Sequence, residues 1–198
     1  MSSGRHDEIE TQVGKALDAQ DFDLALTLAI KAYGGELLGF IESRVGSLED
    51  AREAFGWFAE DLWRSLPKFE RQCSMRTWAY ALARNASARF CARELAPRKK
   101  AVPLSRVSRL SLLMLAESTR DSVHAEEDKI ARLRKQLSEE EQLLLTLRID
   151  RGLDWKDVAR VISFAAGEVD TATLEREALR LRQRFHVLKG KLRELVNE

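Results

Sequence analysis

An all-α fold of two small helical domains joined by a linker is what this chain predicts, and three observations carry the expectation. Apolar residues recur with helical spacing in nearly every window longer than about ten residues, and no stretch sustains the period-two alternation of a strand. Ten glycines and three prolines break the pattern in few places. At 198 residues, 44% hydrophobic and 33% charged, the chain suffices for one ordinary domain or two small ones, each with a modest core.

The elements follow in order. A first helical block is expected over roughly residues 7–94, its first clear helix running from Asp21 to Arg44 with Leu24, Leu28, Ala32 and Leu38 to Ile41 as apolar positions. Gly34-Gly35 is expected to bend or weaken it. A second helix spans Leu48 to Ser65 and ends near Pro67. In the third, Met75, Trp78, Ala79, Leu82, Ala83, Ala86 and Phe90 share one arc of the helical wheel, the spacing of a core-facing stripe. Arg76, Tyr80, Arg84 and Ser87 follow one edge of that arc, and Asn85 and Arg89 the other.

Pro97 and Pro103 bracket Arg98-Lys99-Lys100 and mark a break. Residues 95–130 read as a linker with one short helix, passing from Ser/Arg/Leu-rich sequence (Leu104 to Leu115) to an acidic stretch with Glu117, Asp121, Glu126, Glu127 and Asp128. The second block covers 131–198. Ser138 followed by Glu141 is a capping-box signature ahead of Leu143-Leu144-Leu145. Arg151-Gly152-Leu153 supplies a tight turn, and Asp154 caps a helix over Trp155 to Ile162 whose Val158, Ala159 and Ile162 face inward. Helix, glycine turn, short helix and a later long basic helix outline a helix-turn-helix.

In the last helix Leu174, Ala178, Leu181, Phe185, Leu188, Leu192 and Leu195 form one apolar seam, which a coiled-coil dimer would share. Between Leu174 and Arg193, however, seven Arg or Lys face only Glu175 and Glu177, whereas a dimerisation helix more usually mixes both signs. A second basic concentration lies between Arg71 and Lys100, eight Arg or Lys against Glu94 alone, in a chain of net charge +1. The basic charge is therefore localised, as suits contact with nucleic acid.

Some functions are disfavoured. Cys73 and Cys91 belong to no Cys/His cluster and read as packing residues in a reducing compartment. His6, His124 and His186 are scattered, no glycine loop cradles a phosphate, and no nucleophile has a base at a recognisable spacing, so no enzyme, cofactor or metal is expected. The N-terminus is polar and no apolar run is expected to approach the roughly 18 to 20 residues of a membrane span, which predicts a soluble, cytoplasmic protein without membrane insertion.

Taken together, several of these segments resemble bacterial RNA polymerase sigma factors of the extracytoplasmic-function type. Ser74-Met75-Arg76-Thr77-Trp78-Ala79-Tyr80-Ala81-Leu82-Ala83-Arg84-Asn85 is similar to that family's S-x-R-T-W-x-Y-x-x-A-R-N stretch. Trp63-Arg64-Ser65-Leu66-Pro67-Lys68-Phe69 matches its W-R-x-L-P-x-F segment, and residues 33–40 resemble the start of its region two. Leu137 to Glu141 and Arg151 to Ala159 are similar to its region-four helix-turn-helix. Two departures mark an atypical subgroup: Gly56 and Trp57 stand where the family carries an acidic-then-Gln-Glu motif, and the turn Ser163 to Thr173 is long.

The resemblance implies a dissociable promoter-specificity subunit whose partners are core RNA polymerase and promoter DNA; an anti-sigma factor is compatible with it but specified by no residue here. Glu49, Asp50, Glu53, Glu60 and Asp61 would dock on the polymerase. Lys68, Phe69, Arg71, Gln72, Arg76, Trp78, Arg84, Asn85 and Arg89 would engage the minus-ten element, with Phe69 to Cys73 bordering a pocket for an extruded base. Asn85 has the groups to pair with adenine, while Trp78 borders the apolar arc and reads as core rather than stacking platform. Arg176, Arg180, Arg182, Gln183, Arg184, His186 and Lys189 would read the minus-thirty-five element from the major groove. A stand-alone helix-turn-helix regulator and a degenerate sigma-like interaction protein are the alternatives.

Overall fold

The computed structural model describes residues 3–96, 137–164 and 169–197, all-α with no strand among them. The chain divides into two units, Met1–Val102 and Pro103–Glu198. Leu95 and Ala96 apart, the expected linker lies outside the described residues, as do Pro97, the Arg98-Lys99-Lys100 run, the acidic stretch, His124 and the turn around Gly167.

The first unit contains α1 (Ser3–Asp18), α2 (Phe22–Val45), α3 (Leu48–Ser65), a 3-10 turn (Leu66–Lys68) and α4 (Met75–Phe90), which continues as a π-helical turn over Cys91–Leu95. Local chemistry sets most of these bounds. The carboxylate of Asp21 accepts from the Leu24 N–H at 2.9 Å to start α2, and Gly46, at φ +94°, ends it by donating its N–H to the Glu42 carbonyl. Ser47 and Ser74 accept the N–H groups of Asp50 and Thr77 at the starts of α3 and α4. Helix α1 carries little apolar signal of its own in the sequence, because only Val13 and Ala16 of it are fully buried apolar residues.

Helix α2 is the hub, packing against α1, α3 and α4. That is why its buried residues, from Ala25 through Tyr33, Leu37, Phe40 and Ile41 to Val45, do not keep to one narrow stripe. It runs unbroken through Gly34-Gly35, contrary to the expected bend; Gly34 is buried beside Phe55 of α3, and the cost of glycine in a helix is offset by packing on three sides. One further expectation is corrected. With 24 residues and an 18-residue window of mean hydropathy 1.4, α2 is long and apolar enough to cross a membrane by length and composition. Within the first unit it packs against α1, α3 and α4, which bury 39% of that window. Edge-to-face contacts of Phe40 with Tyr80 (5.2 Å between centroids) and of Trp57 with Phe90 (5.4 Å) tie α2 and α3 to α4.

The second unit contains α5 (Glu139–Leu145) with a π-helical turn over Thr146–Asp150, α6 (Trp155–Ala159) with another over Arg160–Phe164, and the long α7 (Thr171–Asn197). The capping box is present in both directions: Ser138 Oγ accepts the Glu141 N–H at 3.3 Å, and Glu141 Oε2 accepts the Ser138 N–H at 2.7 Å. Gly152 turns the chain at φ +65°, a left-handed conformation that disfavours any residue with a Cβ. Asp154 accepts the N–H groups of Lys156 and Asp157 at 2.8 and 3.0 Å. Leu143 to Leu145, Val158, Ala159 and Ile162 are all buried, as expected.

Although burial opposes its ionisation, the Glu141 carboxylate is held below its ordinary value by the Ser138 backbone and side chain and by Lys191. A lowered carboxylate pKa contributes stability above the unfolded value and loses it as pH falls. The second unit is therefore expected to weaken below about pH 4.3, seen as lower amide-exchange protection factors, relative to the intrinsic rate at each pH, at Leu143 to Leu145. Glu141→Gln should cost about 1 kcal/mol at neutral pH and flatten that acid dependence; an unchanged profile would refute the assignment.

Candidate nucleic-acid interface

The predicted edge of α4 turns inward. Helix α2 covers it, so Tyr80 and Ser87 are fully buried and the Arg76 side chain is only 15% exposed. Arg76 grips Glu36 of α2 through two hydrogen bonds, Nε to Oε1 at 2.8 Å and a terminal guanidinium nitrogen to Oε2 at 2.9 Å, and its guanidinium lies over the Tyr80 ring at 5.5 Å. Burial works against its charge, but the Glu36 carboxylate outweighs that and raises its pKa. Arg76 is thus an internal clamp between α2 and α4, a correction to its expected place on a phosphate-holding surface. Arg84 and Asn85 are half-buried, and each has a partner.

The start of α4 is organised by a residue the sequence reading did not single out. The Glu10 carboxylate of α1 accepts the N–H groups of Met75 and Arg76 at 2.7 and 3.1 Å and the Tyr33 hydroxyl at 2.8 Å. A carboxylate there satisfies orphan helix donors and complements the positive end of the helix dipole. Burial first, and Glu10 second, push the Tyr33 phenol well above its usual pKa, so it stays protonated as a donor. Nothing in the local sequence of α1 identifies Glu10, because its partners lie 23 to 66 positions away.

The loop before α4 is also pinned from within. Arg71 has a left-handed backbone (φ +56°), rare for a residue with a Cβ, and its guanidinium donates to the Gly14 carbonyl (3.0 Å) and the Asp18 carboxylate (2.7 Å) of α1. It is directed onto α1, not toward a pocket in the loop. Gln72 donates to Glu70 at 3.0 Å, and both are exposed. Phe69 leans on Trp78, 5.2 Å between centroids, and the Trp78 indole N–H reaches Ser65 Oγ at 3.3 Å. Trp78 is half-buried, between the core and surface roles, and Cys73 and Cys91 are half-buried free thiols. Lys68, Gln72 and Arg89 are exposed; Arg89 pairs with Asp61 of α3 at 2.5 Å, joining a residue expected at DNA to one expected at the polymerase.

On α3 the expected docking residues separate. Asp50 is buried, its carboxylate accepting from the Ser47 hydroxyl at 2.6 Å, so it serves the helix start and not a docking surface, a second correction. Asp61 is half-buried, while Glu49, Glu53 and Glu60 are exposed with Gly56 between them; Glu60 pairs with Arg64 one turn on. Space is open around Gly56, whereas Trp57 turns to Phe90 and carries the Arg93 guanidinium on its ring at 5.6 Å. Arg93, exposed and beside these aromatics, is a cation that the sequence reading counted but did not place in a site.

The second unit keeps its basic face outward. The seam residues Leu174, Ala178, Leu181, Leu188 and Leu192 are buried within the unit and Phe185 is half-buried against Trp155, which uses the seam without a second chain. The side chains of Leu195 and Arg193 lie outside the described residues. Arg176, Arg180, Arg182, Gln183 and His186 are exposed, and Lys189 is half-exposed. Arg184 is the exception: its guanidinium forms a two-pronged pair with Glu140 of α5, one of its bonds 3.0 Å long, and so braces α7 against α5 rather than projecting to DNA. The two acids of this helix are also engaged, Glu175 by Lys156 at 2.9 Å and Glu177 by Arg180 and Ser163. Helix α7 begins at Thr171, its first turn held by Asp170, which accepts the Thr173 N–H at 2.9 Å.

Among the described residues no group of three or more His, Cys, Asp or Glu is placed to hold a metal. No family model, curated protein or solved structure matches the chain.

Proposed function

We propose that this chain is a promoter-specificity subunit of bacterial RNA polymerase, an atypical sigma factor of the extracytoplasmic-function type that works in the cytoplasm. The observation that carries the reading is the exposed basic face of α7, set behind α6 in helix-turn-helix order, in a chain whose other unit bears the Ser74 to Asn85 segment that resembles the family's minus-ten-binding stretch. Arg176, Arg180 and Arg182 lie outward on α7 where phosphates and base edges of a major groove would meet them. The exposed acids Glu49, Glu53 and Glu60 of α3 suit a basic surface of core polymerase. Binding through neutralised phosphates makes DNA affinity fall steeply with salt.

The test is transcription in vitro. Core polymerase from the source bacterium should bind the chain and start RNA at particular promoters only when it is added; failure of both overturns the proposal. One observation favours a second reading. Arg76 is committed inside the first unit and Arg71 to α1, whereas the α7 face is outward, as a stand-alone helix-turn-helix regulator would require. Tight binding of specific duplex by the isolated chain, with no effect of polymerase, would decide for that reading.

A further inference from the structure

Two large apolar side chains of α7 face solvent, Leu179 at 57% and Val187 at 71% exposure. Gln183, also exposed, lies midway, so the three fall at i, i+4 and i+8 on one outward stripe about 12 Å long. Arg176 and Arg180 flank it on one side, Arg182 and His186 on the other. An apolar and amide centre flanked by Arg176 and Arg182, with Arg180 paired to Glu177 and His186 beside them, is the inverse of a core-facing stripe. It matches a DNA major groove, where phosphates form the rims and base edges the floor. The apolar group on that floor is the 5-methyl of thymine, and a glutamine amide pairs with adenine N6 and N7.

We propose that Leu179, Gln183 and Val187 read an A·T-rich site, the apolar pair packing on thymine methyls and Gln183 pairing with an adenine between them. This rests on the reading of α7 as a DNA-recognition helix. A 12 Å stripe covers on the order of three to four base-pair steps, so the two methyl contacts fall at separate positions of one short element.

The test begins with selection from a random duplex library, using the full chain bound to core polymerase and, in parallel, the chain alone. Each thymine of the selected duplex is then replaced by deoxyuridine, which removes only the methyl. Affinity is expected to fall about fourfold at one or two positions, the effect of one methyl removed from a buried contact. Leu179→Ala should abolish that sensitivity at one position and Val187→Ala at the other, while Val187→Ile retains it. Selective binding indifferent to deoxyuridine overturns this inference and leaves the promoter reading standing. No selective binding in either arm overturns both. A salt-independent dimer lost in the same alanine variants assigns the stripe to a second copy of the chain and also overturns it.

Discussion

Glu10→Ala is expected to destabilise the first unit by about 3 kcal/mol, read by urea denaturation. The carboxylate accepts two backbone N–H groups at the start of α4 and the hydroxyl of the fully buried Tyr33. Hydrogen bonds to a charged group contribute about 1.5 to 3 kcal/mol each, and a buried donor left without an acceptor costs about 1 to 3 kcal/mol. The contributions share one side chain and do not simply add. Glu10→Gln, which keeps an acceptor but loses the charge, should fall between wild type and alanine. Glu8→Ala, at an exposed position two residues away, should change stability by less than about 0.5 kcal/mol. Equal effects at Glu8 and Glu10 would show that α1 does not anchor α4 in this way.

Reversing charge on the outer face of α3 has the largest expected functional effect. Glu49 and Glu53 are exposed, one turn apart, and neither is used in an internal contact described above. Glu49→Lys with Glu53→Lys should weaken association with core polymerase by about tenfold or more at low salt, because like charges replace complementary ones across an interface. The difference should shrink as salt rises. Stability should fall by no more than about 1 kcal/mol, most of it from placing a lysine in the first turn at Glu49. Glu49→Gln with Glu53→Gln separates lost attraction from added repulsion. Unchanged polymerase affinity in a folded double lysine variant would remove α3 from the docking surface.

The corrections share one cause. A helical wheel ranks the faces of a helix by hydrophobicity, and on that measure Arg76 lies only at the edge of the apolar arc. Yet a charged side chain can point inward when an opposite charge or a capping group meets it there. Glu36 lies 40 positions from Arg76 and Glu140 lies 44 from Arg184, so no local window contains either pair. Asp50 differs: its partner Ser47 is three positions away, and Ser47 ahead of an acidic first turn was a signal within reach. The capping box at Ser138, the turn at Gly152 and the bounds of α3 were legible because each depends on residues within one or two turns.

What this sequence determined by itself was therefore the helical class, the caps and turns that cut the chain into its elements, and the concentration of cations near α4 and α7. Those properties arise from backbone hydrogen bonding and side-chain period over short distances. Only the tertiary structure decided which cations remain outward. On α7 most do, because its seam alone meets α5 and α6; on α4 Arg76 is drawn inward onto Glu36 while Arg89 stays exposed beside Asp61, because α2 and α3 pack against that helix and α1 caps its start. The difference between the two basic helices lies in how many neighbours surround each, and that is fixed by contacts far apart in the chain.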